Sequence, residues 1–579
     1  MRWRILLAAL AVRAGALAPA ADPQPPTYDV VVYGGTSAGV VAAVKAARLG
    51  RSVVLIEPGQ HVGGMSTSGL GATDIGNKSA IGGLAREFYR RVGAHYGRDE
   101  AWTFEPHVAE RVFETLLAEA RVTVVRGERL DLRPTGAATS TQPAPAADSP
   151  HTRVLQRPRN ASRGVQMRGD HIERIVMESG RAFGGAVFID ATYEGDLMAL
   201  AGVRYTIGRE ANAAYDETLN GVQTRNATHH QFLHQVDPYV EPGAAASGLL
   251  PGIDPTGPGQ EGAADHRVQA YCLRLCTTDQ PENRLPWPRP ADYDPLRYEL
   301  LLRGFEAGDR RVPWHRVMMP NRKTDTNNNH AVSTDFIGMN YDYPDGDYAT
   351  RGRIIAQHRR CTAGLLWTLA NSPRVPQEIR AEFQTWGRAR DEFADNDHWP
   401  YQLYVREARR MISDYVMTQH DCQGRRVAPD PVGLAAYTMD SHNTQRYVDS
   451  TGRVRNEGDV QVGGFGPYPI SYRAIVPARG ECANLLAPTC LSASHIAFGS
   501  IRMEPVFMVL AHSAAVAGVL AIEGACAVQD VPYAELSARL TADGQALSCD
   551  DVPNPAPGEY LRRKGKAPAG QVAPPGSGQ

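Results

Sequence analysis

A glycine-rich turn followed by an acidic residue is the first chemical feature of the sequence. The turn reads Gly34-Gly35-Thr36-Ser37-Ala38-Gly39. Its backbone N–H groups would face a phosphate at the positive end of the following helix, since glycine lets the main chain approach a ligand closely. Glu57, at the end of the next apolar run, can accept hydrogen bonds from ribose hydroxyls, and its charge disfavours a 2′-phosphate. These residues predict a site for the pyrophosphate and ribose of a dinucleotide.

The elements around this turn are those of a βαβ unit. Residues 28–58 contain an apolar strand, the turn, a small-residue helix over about 38–49, and a second apolar strand that ends at Glu57. Thr36 stands where the usual G-x-G-x-x-G pattern has its second glycine. The spacing alone is therefore a weak signal, and the strand–turn–helix–strand context is what supports the interpretation.

Composition excludes several classes of protein. The 579 residues exceed a single ordinary core, so roughly two to four domains are expected. The 61 basic and 63 acidic residues nearly cancel, which argues against nucleic-acid binding. After the N-terminal segment, no stretch approaches the roughly 18 uninterrupted apolar residues of a membrane span. We therefore expect a mature protein without a membrane span.

Residues 1–21 have the pattern of a secretory signal peptide. Arg2 and Arg4 precede an apolar run, and small residues follow up to about Ala20. The alternative is an unstructured N-terminal extension. A signal peptide would place the mature protein in the periplasm of a bacterium or outside the cell.

The first part of the nucleotide domain is predicted over residues 27–205. It includes a third strand near residues 122–125 and short strands separated by hairpin turns before the strand that ends at Asp190. Within it, residues 134–163 are rich in Ala, Pro, Ser and Thr and are predicted to be disordered, because they have little apolar surface to bury.

The remaining chain is predicted to form a second domain and then return to the first. Residues 206–469, with helices over about 348–370 and 401–417, are the candidate substrate domain. Residues 470–545 would complete the nucleotide domain. Residues 552–579 are rich in Pro and Gly and would form a disordered tail.

Four separated motifs carry a family resemblance. They are the glycine turn, Gly63-Gly64-Met65, residues 188–196 (FIDATYEGD) and residues 492–505 (SASHIAFGSIRMEP). Together they resemble the FAD-dependent oxidoreductase family of the glutathione-reductase-like flavoprotein superfamily, some of whose members carry xanthan lyase labels. The resemblance covers residues 28–543 and implies an α/β fold. This fold is an FAD-binding Rossmann-type domain with an inserted β-meander and a mixed α+β substrate or cap domain.

The resemblance implies FAD as the cofactor and assigns its binding to these motifs. Beyond the glycine turn and Glu57, the implied cofactor-binding residues are Pro58, Gly63, Gly64, Met65, Ala191, Thr192, Met503, Glu504 and Pro505. Pro505 suits the first turn of a helix whose positive N-terminal end would lie against the pyrimidine edge of the flavin. That arrangement favours reduced flavin, which carries added negative charge.

Hydride transfer between a flavin and an alcohol or amine needs a base for the departing proton and a cation to hold the substrate. Four residues near the implied FAD site fit these roles by type: His442, His495, Arg473 and Arg502. His442 lies in a polar segment where packing gives little reason for a histidine. His495 could equally be a hydrogen-bonded structural residue, and Arg502 could equally form a structural ion pair with Glu504.

We therefore expect an exported FAD-dependent oxidoreductase that transfers a hydride between flavin N5 and a small polar substrate. Polar segments at residues 321–330 and 404–410 suit a carbohydrate or polyol, although a solvated loop and a charged helix face explain them equally well.

Two other functions stay open. One is a flavin-containing lyase or isomerase without net redox change, and the other is a non-catalytic carbohydrate-binding or envelope-associated protein with a vestigial flavin fold. The intact Gly34, Gly39 and Glu57 argue against the second. The sequence indicates neither the electron acceptor nor the oligomeric state, and it predicts no metal site.

Overall fold

The structure, a computed structural model, describes residues 25–136 and 154–552. The predicted signal peptide at residues 1–21 lies outside these described residues, and so does the predicted tail at 552–579 beyond its first residue. The division into a nucleotide domain and a substrate domain stays a prediction.

The helices of the described residues, in chain order, are α1 (Ser37–Arg48), α2 (Gly83–His95), α3 (Pro106–Glu119), α4 (Asp196–Leu200), α5 (Glu299–Glu306), α6 (Tyr348–Asn371), α7 (Gln377–Thr385), α8 (Gln419–Cys422), α9 (His495–Ile501), α10 (Glu504–Gly524) and α11 (Tyr533–Ala542). The strands are β1 (Thr27–Tyr33), β2 (Val53–Glu57), β3 (Thr123–Arg126), β4 (Val154–Leu155), β5 (Val165–Arg168), β6 (His171–Val176), β7 (Ala182–Asp190), β8 (Tyr205–Thr206), β9 (Leu275–Thr278), β10 (Arg284–Leu285), β11 (Trp314–Met319), β12 (Lys323–Asn328), β13 (Gly387–Ala389), β14 (Arg410–Met411), β15 (Pro431–Ala435), β16 (Met439–Ser441), β17 (Gln445–Val448), β18 (Val454–Glu457), β19 (Val460–Val462), β20 (Tyr468–Ser471) and β21 (Leu485–Leu486).

The central sheet has a parallel core with the βαβ unit at its middle. Strands β3, β2, β1 and β7 lie side by side, and β21 pairs in parallel with the second half of β7. An antiparallel meander of β5 and β6 joins the first half of β7. Val30 and Leu55 pack on one face, and Val31 and Val54 on the other, as expected for a parallel sheet buried on both sides. The α/β fold class is confirmed.

Two helices from opposite ends of the chain cover one face of this sheet. α1 follows the glycine turn, and α10 packs along it. By length and composition alone, α10 would be able to cross a membrane. However, 94% of its apolar stretch is buried inside the fold, as in the core helix of a globular protein. The expected absence of a membrane span stays a prediction.

The chain between the two parts of the central sheet contains a five-stranded sheet in the order β10-β13-β9-β12-β11. Strand β12 includes part of the polar segment for which a solvated loop was one interpretation. In the structure, the side chains of Lys323 and Asp325 are fully buried. Lys323 Nζ lies 2.8 Å from Glu105 and 2.7 Å from Glu392, while Asp325 forms a bidentate pair with Arg274 at 2.8 Å. Burial is tolerated because each charge has a partner.

The predicted helix over residues 401–417 is wrong. The segment is extended, with the Tyr404 N–H donating to the Cys272 carbonyl at 2.9 Å and β14 pairing with β8. Its buried arginines pair with carboxylates from distant segments: Arg406 with Asp335, Arg409 with Asp196 and Asp345, and Arg410 with Glu210 and Glu407. These tertiary contacts override the helix propensity of the local sequence.

The predicted disordered insertion at residues 134–163 includes residues 137–153, which lie outside the described residues. Its described ends are ordered, which differs from the prediction. The Thr135 N–H donates to the Ala161 carbonyl at 3.1 Å, and β4 pairs with β8. Leu155 of β4 is buried, so this end of the stretch has an apolar side chain to pack although the average composition is polar.

Candidate cofactor and substrate site

A cavity of about 540 Å³ lies at the carboxyl ends of β1, β2 and β7. Ligands of open parallel sheets bind at this edge. The predicted cofactor residues that line the cavity are Gly34, Thr36, Glu57, Pro58, Gly64 and Thr192. The other predicted cofactor residues are not part of the lining: Gly35, Ser37, Ala38, Gly39, Gly63, Met65, Ala191, Met503, Glu504 and Pro505. Several of these hold the lining residues in place.

Two glycines of the turn, Gly34 and Gly39, have no room for a side chain. Gly34 has a φ of +97°, and its N–H donates to the Ile56 carbonyl at 2.8 Å. A Cβ on Gly39 would lie 1.8 Å from the carbonyl oxygen of Gly34. Thr36 caps α1, because its Oγ1 accepts from the Gly39 N–H at 3.2 Å and donates to the Ala191 carbonyl at 2.7 Å. Thr36 therefore ties the helix to the end of β7 at the position where the usual pattern has a glycine.

Glu57 ends β2 with its carboxylate turned toward the turn. One oxygen accepts from the Gly35 N–H and the other from the Gly59 N–H, each at 2.6 Å. Burial raises the pKa of Glu57 to about 7, although the two amides favour the ionised form. The carboxylate lines the cavity, where it can accept hydrogen bonds from the hydroxyls of a ribose.

Glu504 joins the two sequence-distant parts of the cofactor region. Its buried carboxylate accepts hydrogen bonds from Ser37 Oγ at 2.5 Å, Ser66 Oγ at 3.2 Å and the Tyr193 hydroxyl at 2.7 Å. The Tyr193 hydroxyl in turn accepts from the Met65 N–H at 2.9 Å. Burial raises the pKa of Glu504, while these hydroxyl donors favour its ionised form. The carboxylate thus fastens the start of α10 to the start of α1.

The start of α10 agrees with the position predicted for it. Met503 is the N-cap residue, Glu504 begins the helix, and Pro505 lies in the first turn. Nearby, the Gly63 N–H donates to the Gly35 carbonyl at 2.7 Å. Gly64 has a φ of +56°, and a Cβ there would lie 2.3 Å from the Tyr193 hydroxyl. A glycine is therefore required at position 64.

A second polar group is built around His442. Its Nδ1 lies 2.7 Å from Asp335 Oδ2, and Asp335 Oδ1 lies 3.0 Å from Nη2 of Arg406. Burial lowers the pKa of His442 to about 3, and Arg406 adds to this effect. Although burial works against them, Arg406 and His442 lower the pKa of Asp335 to about 2. The result is a neutral imidazole with its Nδ1 proton held by a carboxylate, and Nε2 has no hydrogen-bond partner among the described residues.

Three guanidinium groups surround Tyr404. Arg502 Nη1 donates to the Tyr404 hydroxyl at 2.7 Å, and the guanidinium carbons of Arg406 and Arg274 lie 4.7 Å and 6.0 Å from the ring centre. Burial raises the pKa of Tyr404, and the three cations oppose this rise. Because the adjacent Leu403 lines the cofactor cavity, this group adjoins the cavity.

Asp440 of β16 stands beside Arg502. One carboxylate oxygen lies 3.8 Å from Arg502 Nη2, and among the described residues no donor forms a hydrogen bond to this carboxylate. Burial raises the pKa of Asp440 to about 6, with Arg502 opposing the rise and Asp74 adding to it. A buried carboxyl group whose pKa is raised to about 6 is a candidate acid or base.

His495 belongs to a different buried pair. Its Nδ1 lies 2.8 Å from Glu407, which also pairs with Arg410 at 3.1 Å. The Gln269 N–H donates to Glu407 at 3.1 Å, and the Gln269 side-chain oxygen accepts from the His442 N–H at 3.1 Å. The two histidines are therefore linked through Gln269, and each has its own carboxylate.

Arg473 does not join this group. Its side chain is 43% exposed, its Nε lies 3.1 Å from Asp430, and its guanidinium lies 5.2 Å from the Tyr415 ring centre. The structure thus brings His442, His495 and Arg502 into one connected polar region and leaves Arg473 in a partly exposed ion pair elsewhere.

Some residues of the site were missed by sequence reasoning. Asp335 lies in a segment without a motif, 107 residues from the histidine that it orients. Tyr193 was part of a recognised motif, but nothing in the sequence assigns its hydroxyl to Glu504. Tyr404 and Arg406 were recognised only as part of a polar segment, which was expected to be helical. An extended conformation places residues two apart on the same side, which would have brought these two side chains together.

One further cluster has the ligand types of a metal site. Side-chain atoms of Glu105, His107 and Glu392 lie within 4.8 Å of one another. Lys323 Nζ lies within 2.8 Å of both carboxylates. An ammonium group therefore already supplies a positive charge to both carboxylates of this cluster.

Comparison with known proteins gives a family match over most of the chain. The model of the family described as FAD dependent oxidoreductase matches residues 29–540. A vinyl phenol reductase of Lactiplantibacillus plantarum is 52% identical over 50 residues, which are 8% of this chain and 10% of that protein.

Solved structures show more distant similarity. An L-amino acid deaminase from Proteus vulgaris is 15% identical with a TM-score of 0.21, over 33% of this chain and 54% of that one. An L-proline dehydrogenase from P. horikoshii is 12% identical with a TM-score of 0.22, over 32% of this chain and 59% of that one. The chain thus spans 10% of the length of the curated relative and less than two thirds of either solved chain.

Proposed function

Because the chain belongs to the FAD dependent oxidoreductase family, we propose that it transfers a hydride between flavin N5 and a small polar substrate, namely a carbohydrate or polyol. FAD is the cofactor, and when bound it supplies the hydride acceptor or donor. The residues present fit this group. The positive N-terminal end of α1, which directly follows the Gly34 turn, suits the pyrophosphate, and Glu57 suits the adenosine ribose.

The orientation of His442 is the observation that carries the proposal. Asp335 holds the Nδ1 proton, so the lone pair on Nε2 is available to take a proton from a substrate hydroxyl. Burial lowers the pKa of His442 to about 3, which keeps the imidazole neutral at physiological pH and also makes it a weaker base than an ordinary histidine. The proton that it takes would be stabilised by Asp335, which keeps its negative charge.

The charges around Tyr404 favour a neutral substrate. Each arginine of this group has a carboxylate nearby: Arg274 with Asp325, Arg406 with Asp335, and Arg502 with Asp440. The Nε atoms of Arg406 and Arg502 and the side-chain amide nitrogen of Gln269 are buried donors without a hydrogen-bond partner among the described residues. Substrate hydroxyls can accept from such donors, whereas a substrate anion would meet positive charges that are already paired.

A lyase or isomerase reaction without net redox change is the second candidate. The pairing of a neutral base, His442, with a buried hydroxyl on Tyr404 favours it, because an elimination needs both a base and an acid. Arg406 contacts both Asp335 and the Tyr404 ring and so connects the two groups.

Anaerobic mixing of the purified flavin-loaded protein with sugars, polyols and carboxylic acids tests the proposal, with flavin absorbance as the readout. We expect a neutral sugar or polyol to bleach the flavin at a saturable rate. Bleaching by carboxylic acids alone would overturn the substrate class. Conversion of a sugar without any flavin bleaching would replace the proposed oxidation with the lyase or isomerase reaction.

A further inference from the structure

A small pocket of about 90 Å³ has Asp335 in its lining and shares no lining residue with the cofactor cavity. Its apolar walls include Val332, Phe336, Ile337 and Leu365. Four residues line both this pocket and a neighbouring one of about 200 Å³: Arg297, Tyr298, Met339 and Cys361. The residues that line this pocket have no role in the function proposed above, except Asp335.

Arg446 of β17 is the unusual residue of this pocket. It is only 8% exposed. Its Nε donates to Asn456 Oδ1 at 2.9 Å and its Nη2 to the Ala331 carbonyl at 2.7 Å. Among the described residues, its Nη1 donates to no acceptor and no carboxylate forms an ion pair with it. The guanidinium also lies 5.7 Å from the Phe232 ring centre, and burial lowers the pKa of Arg446 to about 10.

Other deeply buried arginines of this chain are compensated differently. Each of the following has at least one carboxylate partner: Arg209, Arg274, Arg351, Arg406, Arg409 and Arg410. A buried cation without a counter-charge is unfavourable, because desolvation is not offset by attraction to a partner. An anion that enters the pocket would supply the missing partner of Arg446.

We propose that this pocket binds a small monocarboxylate with a short apolar chain. The carboxylate pairs with Arg446, and the chain lies against Val332, Ile337 and Leu365. Asp335 also lines the pocket, but its charge is already paired with Arg406 and His442, so its repulsion of a second carboxylate is reduced. The apolar walls and the small volume disfavour phosphate and long-chain acids.

Calorimetric titration of the flavin-loaded protein with butyrate tests this site. We expect saturable binding at constant ionic strength, with butyramide and inorganic phosphate each at least about tenfold weaker. If butyramide bound as tightly as butyrate, the negative charge of the ligand would not contribute to binding. If phosphate bound as tightly, the apolar walls would not contribute. Either result, or no binding of butyrate, would overturn the proposal.

Two variants place the binding in this pocket. Arg446→Met should weaken butyrate binding at least about tenfold and leave the flavin content unchanged. Because Arg446 also holds Asn456 and the Ala331 carbonyl, Met339→Trp provides a second test that fills the pocket entrance from a residue that is 37% exposed. Met318→Trp, at a residue that is 53% exposed and lines neither pocket, is the matched control. Unchanged binding in Met339→Trp would show that butyrate binds elsewhere and would overturn the assignment.

Discussion

The cofactor edge of the central sheet and the group around Tyr404 are neighbouring buried polar regions that differ in what holds them. At the cofactor edge, main-chain groups supply many of the contacts, and the turn can form because Gly34 and Gly39 have no side chain. Around Tyr404, charged side chains from distant segments hold one another, as Asp335, Arg406 and His442 do. The first region should therefore fail when an atom is added, and the second when a charge loses its partner.

The largest expected effect is at the glycine turn. Gly39→Ala should abolish FAD binding, because the added Cβ would lie 1.8 Å from the Gly34 carbonyl oxygen and displace the turn from the phosphate site. Flavin absorbance per mole of purified protein measures this. Gly304→Ala is the control, since a Cβ in this helix meets no atom within 4 Å. Full flavin content in Gly39→Ala would place the nucleotide site elsewhere.

Changes in the group around Tyr404 and His442 should alter the rate of flavin reduction and leave the flavin content unchanged. His442→Asn should slow flavin reduction by substrate about 10²–10⁴-fold, because it removes the proton acceptor. His495→Asn is the matched comparison, since His495 has a carboxylate partner of its own. We expect a smaller effect there, measured by anaerobic stopped-flow absorbance. If His495→Asn gives the larger loss, the base is His495.

A smaller effect is expected when a side chain of the cofactor edge is shortened. Glu57→Ala should weaken FAD binding by about 1–3 kcal/mol, because the ribose loses a charged acceptor while the turn keeps its space. Fluorescence titration of apoprotein with FAD measures the dissociation constant. Glu57→Gln should not restore the wild-type affinity, because its side-chain NH2 would face the N–H of either Gly35 or Gly59. An unchanged dissociation constant in Glu57→Ala would exclude Glu57 from the ribose site.

The pH dependence should separate Asp440 from His442. The rate of flavin reduction should rise with pH through a midpoint near 6, because burial raises the pKa of Asp440 to about 6 and its ionised form can hold a substrate hydroxyl. Asp440→Asn should remove this midpoint. Arg502→Met should move it to higher pH, because Arg502 lowers the pKa of Asp440. A midpoint that persists in Asp440→Asn would assign the titration to another group.

A further expected effect concerns stability in acid. Burial lowers the pKa of His442 to about 3, below the ordinary value of 6.5 that applies in the unfolded chain. The unfolded chain therefore binds a proton first, and the free energy of unfolding falls as pH drops below 6.5. Between pH 7 and pH 5 the wild type should lose about 2 kcal/mol more than His442→Gln, as measured by urea unfolding. Equal losses would show that His442 does not titrate differently on unfolding.

The difference between the cofactor edge and the group around Tyr404 also explains how much of the structure could be predicted from the sequence. The cofactor edge was predictable because its determinants are close in sequence, so the Gly34 to Gly39 turn and the strand end at Glu57 identify themselves by spacing. The burial of α10 and of the parallel strands could also be predicted, because both are apolar runs in the sequence. The group around Tyr404 was not predictable, because the partners Asp335 and His442 are 107 residues apart and no local pattern joins them.

The error over residues 401–417 has the same cause. The arginines of this segment form buried pairs with carboxylates from separate parts of the chain, and these pairs require an extended backbone. Local propensity contains no information about such partners. Arg473 shows the converse, since its type suggested a catalytic cation and its nearest carboxylate, Asp430, accounts for its position instead.

The hydrogen bond between Ser37 and Glu504 has a consequence for how the chain is made. These residues are 467 positions apart, and the first of them emerges from the ribosome long before the second. Until α10 has been synthesised, the start of α1 lacks the carboxylate that fastens it, and β7 lacks its partner β21. A nascent N-terminal fragment therefore cannot present the complete binding site. We therefore expect FAD to bind only after α10 has been synthesised.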